Sequence, residues 1–362
     1  MTICSSLIRI WYSVPPLGCW RAPESCANGW TGPVRKTDFT TPRRYWPLLW
    51  LTLAALLAQG AALSIGSVAL SPLQVLETLL GHQSGLAQTL VLELRLPRAL
   101  AALGTGALLA AAGALMQILL RNPLADPYVL GLSGGAAVAA LLAMLGGLSL
   151  ALVSGAAFCG ALFSTLLVFG LARGTGSWTP TRLLLTGIVI ASGWGALISF
   201  LLAVGPVEQL PGMLYWLMGD MAYARHYGPV LLAALVSWLL LLPLARSLNV
   251  LARGPLQAAA LGVAVRPLEW TLYLVASLMT AIAVTTAGSI GFIGLLVPHM
   301  LRLWLGNDQR LIIPASMLAG GTLLTLADTL ARTLIAPQQL PVGVITALLG
   351  VPTFLFLLYR SR

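Results

Sequence analysis

Apolar residues run along this chain in blocks about one membrane thickness long, and charged residues fall almost entirely between the blocks. Charge-free stretches cover 45–76, 99–120, 127–172, 183–207, 227–245, 270–301, 311–327 and 333–359. A hydrocarbon core about 30 Å thick is crossed by about 20 apolar helical residues, so several of these stretches hold two crossings. Breaks at Pro, Gly and charge divide them into ten predicted spans, roughly 46–66, 98–119, 129–148, 151–172, 182–204, 228–246, 268–288, 290–305, 311–333 and 341–359. The pattern predicts an all-α, polytopic membrane protein with one transmembrane domain over 43–362. Residues 1–42 differ: they are polar, rich in Pro, Gly and Cys, and show no helical period. They are expected to be a disordered extension or the product of a start codon placed too early. The apolar run after Met1 is broken by Pro15 and Pro16 with no small-residue cleavage site, which argues against a signal peptide.

Composition sharpens the picture. The chain is 58% hydrophobic and 8% charged, against about 25% charged in a soluble domain; too few charges remain to cover a water-facing surface. The formal charge of +10 comes from arginines and one lysine, Lys36. They form no basic stripe with interleaved aromatics, so nucleic acid is not an expected partner. Cys4, Cys19, Cys26 and Cys159 match no zinc spacing and suggest no disulfide framework. A phosphate-cradling loop needs Gly-Lys-Ser/Thr, and the one lysine follows Arg35. GTGALL at 104–109 lacks the third glycine of a dinucleotide fingerprint. The connections are too short for a soluble catalytic domain. The chain reads as a conduit that draws its energy elsewhere.

Charge also threads the chain. With the N-terminus cytosolic, sixteen of the twenty basic residues lie in inner segments, and twelve of sixteen without residues 1–42. The positive-inside bias therefore places both termini in the cytosol. The exceptions are Arg95, Arg98, Arg225 and Arg332. Arg332 has Asp328 at i−4, and Glu93 or Glu77 could match Arg95; snorkelling at the outer interface is the bland alternative. Two guanidiniums one turn apart in "ELRLPRAL" (93–100) suit a carboxylate on another protein.

Two stretches invite other chemistry. "GLSGG" (131–135) with His299 has the residue types of an intramembrane serine protease, but Ser133 and His299 fall at different depths of their spans. Gly131 and Gly135 at G-x-x-x-G spacing instead suggest helix packing. His299, in "VPHM", is an ionisable residue within a span and could bind haem iron or relay protons. A neutral imidazole bonded to a carbonyl freed by Pro298 is the plainer expectation. A proton-coupled secondary transporter would want acids at mid-membrane, and here the acids lie near span ends.

"RLPRALAALGTGALLAAAGALMQILLRNPLADPYVLGLSGGAA" (95–137), "LYWLMGD" (214–220), "SIGFIGLLVPHMLRLWLGNDQRLIIPASMLAGGTLLTLADTLART" (289–333) and "LPVGVITALLGVPTFLFLL" (340–358) resemble the FecCD-type permeases. These are membrane subunits of type II ABC importers for iron-siderophores, haem and vitamin B12. The resemblance covers about 46–360 and implies a multi-pass protein of the bacterial inner membrane, ten helices per subunit and a homodimer with the path on its axis. It also implies two ATP-binding cassette subunits that hold the ATP and Mg, a periplasmic substrate-binding protein, and a metal-chelate substrate, with lipid around the bundle. This chain would hold no cofactor and carry out no catalysis.

By likeness to the family's vitamin B12 permeases, Arg95, Arg98 and Arg332 dock the binding protein through its glutamates, and Asn122 and Leu124 belong to a cytosolic gate. "TPTR" supplies the other gate candidates, Thr179, Pro180 and Thr181. The loop 246–267 resembles the coupling helices that contact the ATPase, through Gln257, Ala260, Leu261 and Gly262; Gly254 to Gln257 replace the acids usual there.

Overall fold

The computed structural model describes residues 45–66, 68–83, 85–173, 179–224 and 226–360. The expectations for residues 1–42 and for Arg225 lie outside them. The described residues form helices connected by short turns: α1 (Trp46–Ser64), α2 (Pro72–Leu79), α3 (Leu86–Leu119), α4 (Leu132–Leu145), α5 (Leu150–Arg173), α6 (Pro180–Val204), α7 (Leu210–Met218), α8 (Tyr227–Leu251), α9 (Pro255–Ala260), α10 (Val265–Ala287), α11 (Ile293–Leu305), α12 (Gln309–Thr333) and α13 (Val342–Arg360). Eight are long and apolar enough to cross a membrane, and two shorter apolar helices, α4 and α11, lie where the other two spans were expected. Helices suit this setting because each backbone N–H finds its carbonyl within the segment, with no water needed.

Ten alternating crossings leave two ends. The start of α1, the end of α13, the turn after α3, and α9 share one, here the terminal end. The connections α1–α3, α6–α8 and α12–α13 share the opposite end.

The bundle is built around α3, whose apolar length is the most buried of the spans. Small residues let its neighbours approach to backbone contact. A Cβ at Gly113 would sit 1.8 Å from the Gly294 carbonyl oxygen of α11, and one at Gly106 would sit 2.2 Å from that of Gly320 in α12. Such approach is how helices associate where burying apolar surface against lipid gains little. Polar side chains then tie helix to helix. Gln59 of α1 donates to the Ala99 carbonyl and the Thr325 hydroxyl, at 3.2 and 3.1 Å. Tyr273 of α10 donates to the Thr165 carbonyl at 2.8 Å.

The start of α3 is irregular for a reason visible in its sequence. Pro97 has no N–H, so the regular hydrogen-bond ladder is broken one turn upstream. Thr89–Arg95 forms a π-helical segment, with the Leu96 N–H reaching the Val91 carbonyl. Single π turns of this kind often lie at functional sites, and this one carries Arg95.

The region 129–148 departs from the single span expected. A 3-10 turn, Pro127–Leu130, precedes α4, and Gly131 between them has φ +67°. Its role is therefore to turn the backbone. Gly135 is the packing glycine, since a Cβ there would lie 2.5 Å from the Ser164 Cβ and 2.6 Å from the Gly160 carbonyl.

Candidate functional site

At the opposite end, the start of α3, the end of α12 and the turn between α7 and α8 converge. A cavity of about 500 Å³ opens there, lined by Gly66, Glu93, Arg95, Arg98, Ala222, Arg332 and Gln339 among others. The three arginines named from the sequence, separated by up to 237 residues, thus face one space.

Their partners are internal. Arg95 donates to the carbonyls of Leu63 (2.7 Å), Ser64 (3.1 Å) and Val68, and so closes the end of α1. Gly66 makes room for it, because a Cβ there would stand 2.8 Å from Arg95 Nη2. Neither acid expected for Arg95 takes it up: Glu77 accepts from Gln83 at 2.8 Å, and Glu93 is exposed at the rim. Carbonyls at a helix end carry partial negative charge, and they take the place of a carboxylate for this buried cation, 5% exposed.

Arg98 points to Asp328 of α12. Its Nε lies 3.0 Å from both carboxylate oxygens and its Nη2 lies 2.8 Å from Oδ1, while Nη1 donates to Gln339 at 2.8 Å. Arg332 Nε is 3.2 Å from the other Asp328 oxygen, the expected i, i+4 ion pair. That contact lacks hydrogen-bond alignment; the Arg332 Nη2 group instead reaches the Ala62 carbonyl at 3.2 Å. Asp328, 1% exposed, is the hub of the cluster.

A second acid stands nearby. Asp220 lies 3.7 Å from Arg98 Nη2 and is 8% exposed. Its Oδ1 accepts from the Ala222 N–H at 2.9 Å and caps the 3-10 turn Met221–Tyr223. Burial raises the Asp220 carboxyl above its ordinary range; the Ala222 N–H and the Arg98 charge oppose this, and the Asp328 charge adds to it. Sequence reasoning missed Asp220 as a site residue although it closes the quoted "LYWLMGD". Its partner lies on another helix far away in the chain, so no local spacing marks it.

The terminal end holds the other candidates. Asn122 is exposed, and its side-chain oxygen accepts from the Leu124 N–H at 3.0 Å, an Asx turn that shapes the connection after α3. Thr179 is the N-cap of α6, accepting from the Arg182 N–H at 3.3 Å, and Thr181 is exposed. Pro180 is the first residue of α6, where its missing N–H costs nothing. The described structure places no bond between the two groups.

The loop 246–267 yields one short helix, α9, preceded by Gly254 (φ +127°) and followed by Gly262 (φ +79°). Ala258 is buried against the bundle, and Gln257, Ala260, Leu261 and Gly262 are exposed. Leu261 is 68% exposed, and Leu256, not singled out from the sequence, is 86% exposed. Large apolar side chains thus project beyond the terminal end, flanked by the exposed Arg253 and Arg266.

The alternative chemistries find no support in the geometry. No hydrogen bond joins Ser133 to His299, and His299 makes none to a freed carbonyl. Its neighbour Arg302 is the better placed polar residue: buried in the last turn of α11, it donates to Gln117 and, at 3.1 Å, to the Ala114 carbonyl of α3. Counted from the sequence as an inner-loop charge, it is a link between two helix C-termini. Among the described residues no group of His, Cys, Asp and Glu could hold a metal ion.

Apolar spans around a small-residue core, with the charged clusters at the two ends, define a multi-pass helical membrane protein. The FecCD transport family model matches residues 51–360, and the chain belongs to that family. It is 43% identical over 279 residues to the cobalamin import system permease protein BtuC of Halobacterium salinarum, covering 76% of this chain and 74% of that one. Against the hemin transport system permease protein HmuU of Yersinia pestis it is 40% identical over 321 residues, 86% of this chain and 94% of that one. A solved chain assigned to the metal-chelate type of ABC transporter, in an inward-facing conformation, matches with a TM-score of 0.76 and 31% identity over 88% of this chain and 99% of that one. The protein is a permease component of the ABC-importer kind and not an enzyme.

Proposed function

We propose that this chain is the membrane subunit of an ATP-driven importer that carries a metal chelate, an iron-siderophore, haem or cobalamin, from the periplasm into the cytoplasm of a bacterium. Two copies enclose the path. ATP and Mg are held by two separate cassette subunits, and a periplasmic binding protein delivers the cargo. The observation that carries this reading is the convergence of Arg95, Arg98 and Arg332 on one cavity at the end opposite the start of α1 and the end of α13. Three guanidiniums collect there; Asp328 and Asp220 face them from inside and Glu93 stands at the rim, and guanidinium N–H groups turned to the cavity are suited to a carboxylate from outside. The relatives named for cobalamin and hemin transport support the cargo class.

At the terminal end, placed in the cytosol by the arginine bias, Leu256 and Leu261 of the α9 region seat in the ATPase and transmit its closure. Asn122, Leu124 and the residues 179–181 lie at the same end, where a gate would close the path.

Deleting the gene and growing the strain with haem, a ferric siderophore or cobalamin as the required nutrient tests the function directly. Loss of growth on one of the three, restored by the gene on a plasmid, identifies the cargo. Undiminished uptake of all three contradicts the proposal.

A further inference from the structure

We propose that Asp220 is a placeholder: it holds the anion position beside Arg98, next to the cavity-lining Met221, and a carboxylate presented by the docking partner displaces it. This rests on the docking reading above and adds to it which internal contact gives way.

The two acids of the cluster differ in how firmly they are held. Asp328 is 1% exposed and has short contacts to both Arg98 and Arg332. Pulling Arg98 from it would break three charge-assisted hydrogen bonds of 2.8–3.0 Å, more than one contact at an open cavity returns. Arg98 therefore keeps Asp328 when a partner arrives. The Asp220 contact is of another kind. At 3.7 Å it exceeds hydrogen-bond length and acts only as charge on charge. Its carboxylate sits on a turn between helices, and the neighbouring Met221, Ala222 and Ala224 line the cavity itself. Arg98 Nη2 donates to Asp328 at 2.8 Å and lies 3.7 Å from Asp220, so it stands between the two acids.

Displacement has a direct consequence for the backbone. Asp220 follows Gly219 (φ +77°), whose carbonyl accepts from the Gly343 N–H at the start of α13, at 3.2 Å. Gly343 lies against the Met218 carbonyl, at 1.9 Å from a Cβ built there. The acid that yields to the partner is thus one residue from the contact between α7 and the last span.

The test uses the purified full-length permease in lipid nanodiscs and a fluorescein-labelled hexaglutamate peptide as the carboxylate probe, read by anisotropy at low and at physiological salt. Asp220→Asn keeps an oxygen for the Ala222 N–H and removes only the charge. It should bind the probe about two- to fivefold more tightly than wild type at low salt, the range expected of one partly screened charge contact, and the gain should shrink as salt rises. Asp220→Ser, which also caps the turn, should show the same gain, and Asp220→Glu should show none. Equal or weaker binding by both neutral variants overturns the placeholder role. If Arg332→Gln still weakens the probe in that case, the docking reading survives alone. Failure of the probe to bind either wild type or the neutral variants overturns both.

Discussion

A carboxylate as buried as Asp328 needs opposite charge buried with it, and here two guanidiniums are. Removing the carboxylate leaves Arg98 and Arg332 facing each other with their shared counter-charge gone. Asp328→Asn is expected to lose about 3–5 kcal/mol of stability, read as a lowered unfolding temperature of the detergent-purified protein; an unchanged temperature would show that the hub is dispensable. At this scale the sequence was legible only where partners are close along the chain. The Asp328–Arg332 pair follows from i, i+4 spacing. The Arg98–Asp328 pair spans 230 residues and depends on how α3 meets α12, which no local pattern encodes. Arg95 misled for the same reason. Its true partners are carbonyls freed at the end of α1, and a backbone oxygen leaves no mark in a sequence.

Among the elements, the eight long spans were readable because lipid demands about 20 apolar residues whatever the neighbours are. The short pieces were not. α7 is apolar but only nine residues long, burying Met213 and Trp216 and leaving Leu214, Tyr215 and Met218 exposed, and the 3-10 turn ahead of α4 hides inside an unbroken apolar run. Packing around α3 gives a firm expectation. Gly113→Leu would drive a side chain into the α11 backbone, with a first carbon already 1.8 Å from the Gly294 carbonyl oxygen. The variant should fail to accumulate as a monodisperse protein by gel filtration, whereas Gly60→Leu, where a Cβ meets nothing within 4 Å, should be tolerated. Equal behaviour of the two would mean that the close helix contact is absent. The exposed α9 region makes a different forecast. Leu256→Asp and Leu261→Asp should leave the permease folded but abolish its co-purification with the cassette subunit, since a charge would enter an apolar contact without a partner. Retained co-purification and uptake would remove α9 from the coupling role.

For the whole molecule, the central claim is a direction: the terminal end with α9 in the cytosol, the arginine cavity facing out. Counting alternating crossings groups residues at two ends, and the arginine bias is the argument for the sides. Setting aside Arg302, which is buried between helices, the bias from residue 43 on is eleven inner basic residues against four. Docking, gating and coupling all reverse if the assignment is wrong. One measurement decides it. In a background with Cys4, Cys19, Cys26 and Cys159 replaced by serine, single cysteines are placed at Gln83, on the α1–α3 connection, and at Arg253, beside α9. Intact spheroplasts are then treated with a membrane-impermeant thiol reagent. The account predicts labelling at position 83 at once, and at position 253 only after the membrane is opened. Labelling at 253 but not at 83 in intact cells would contradict it.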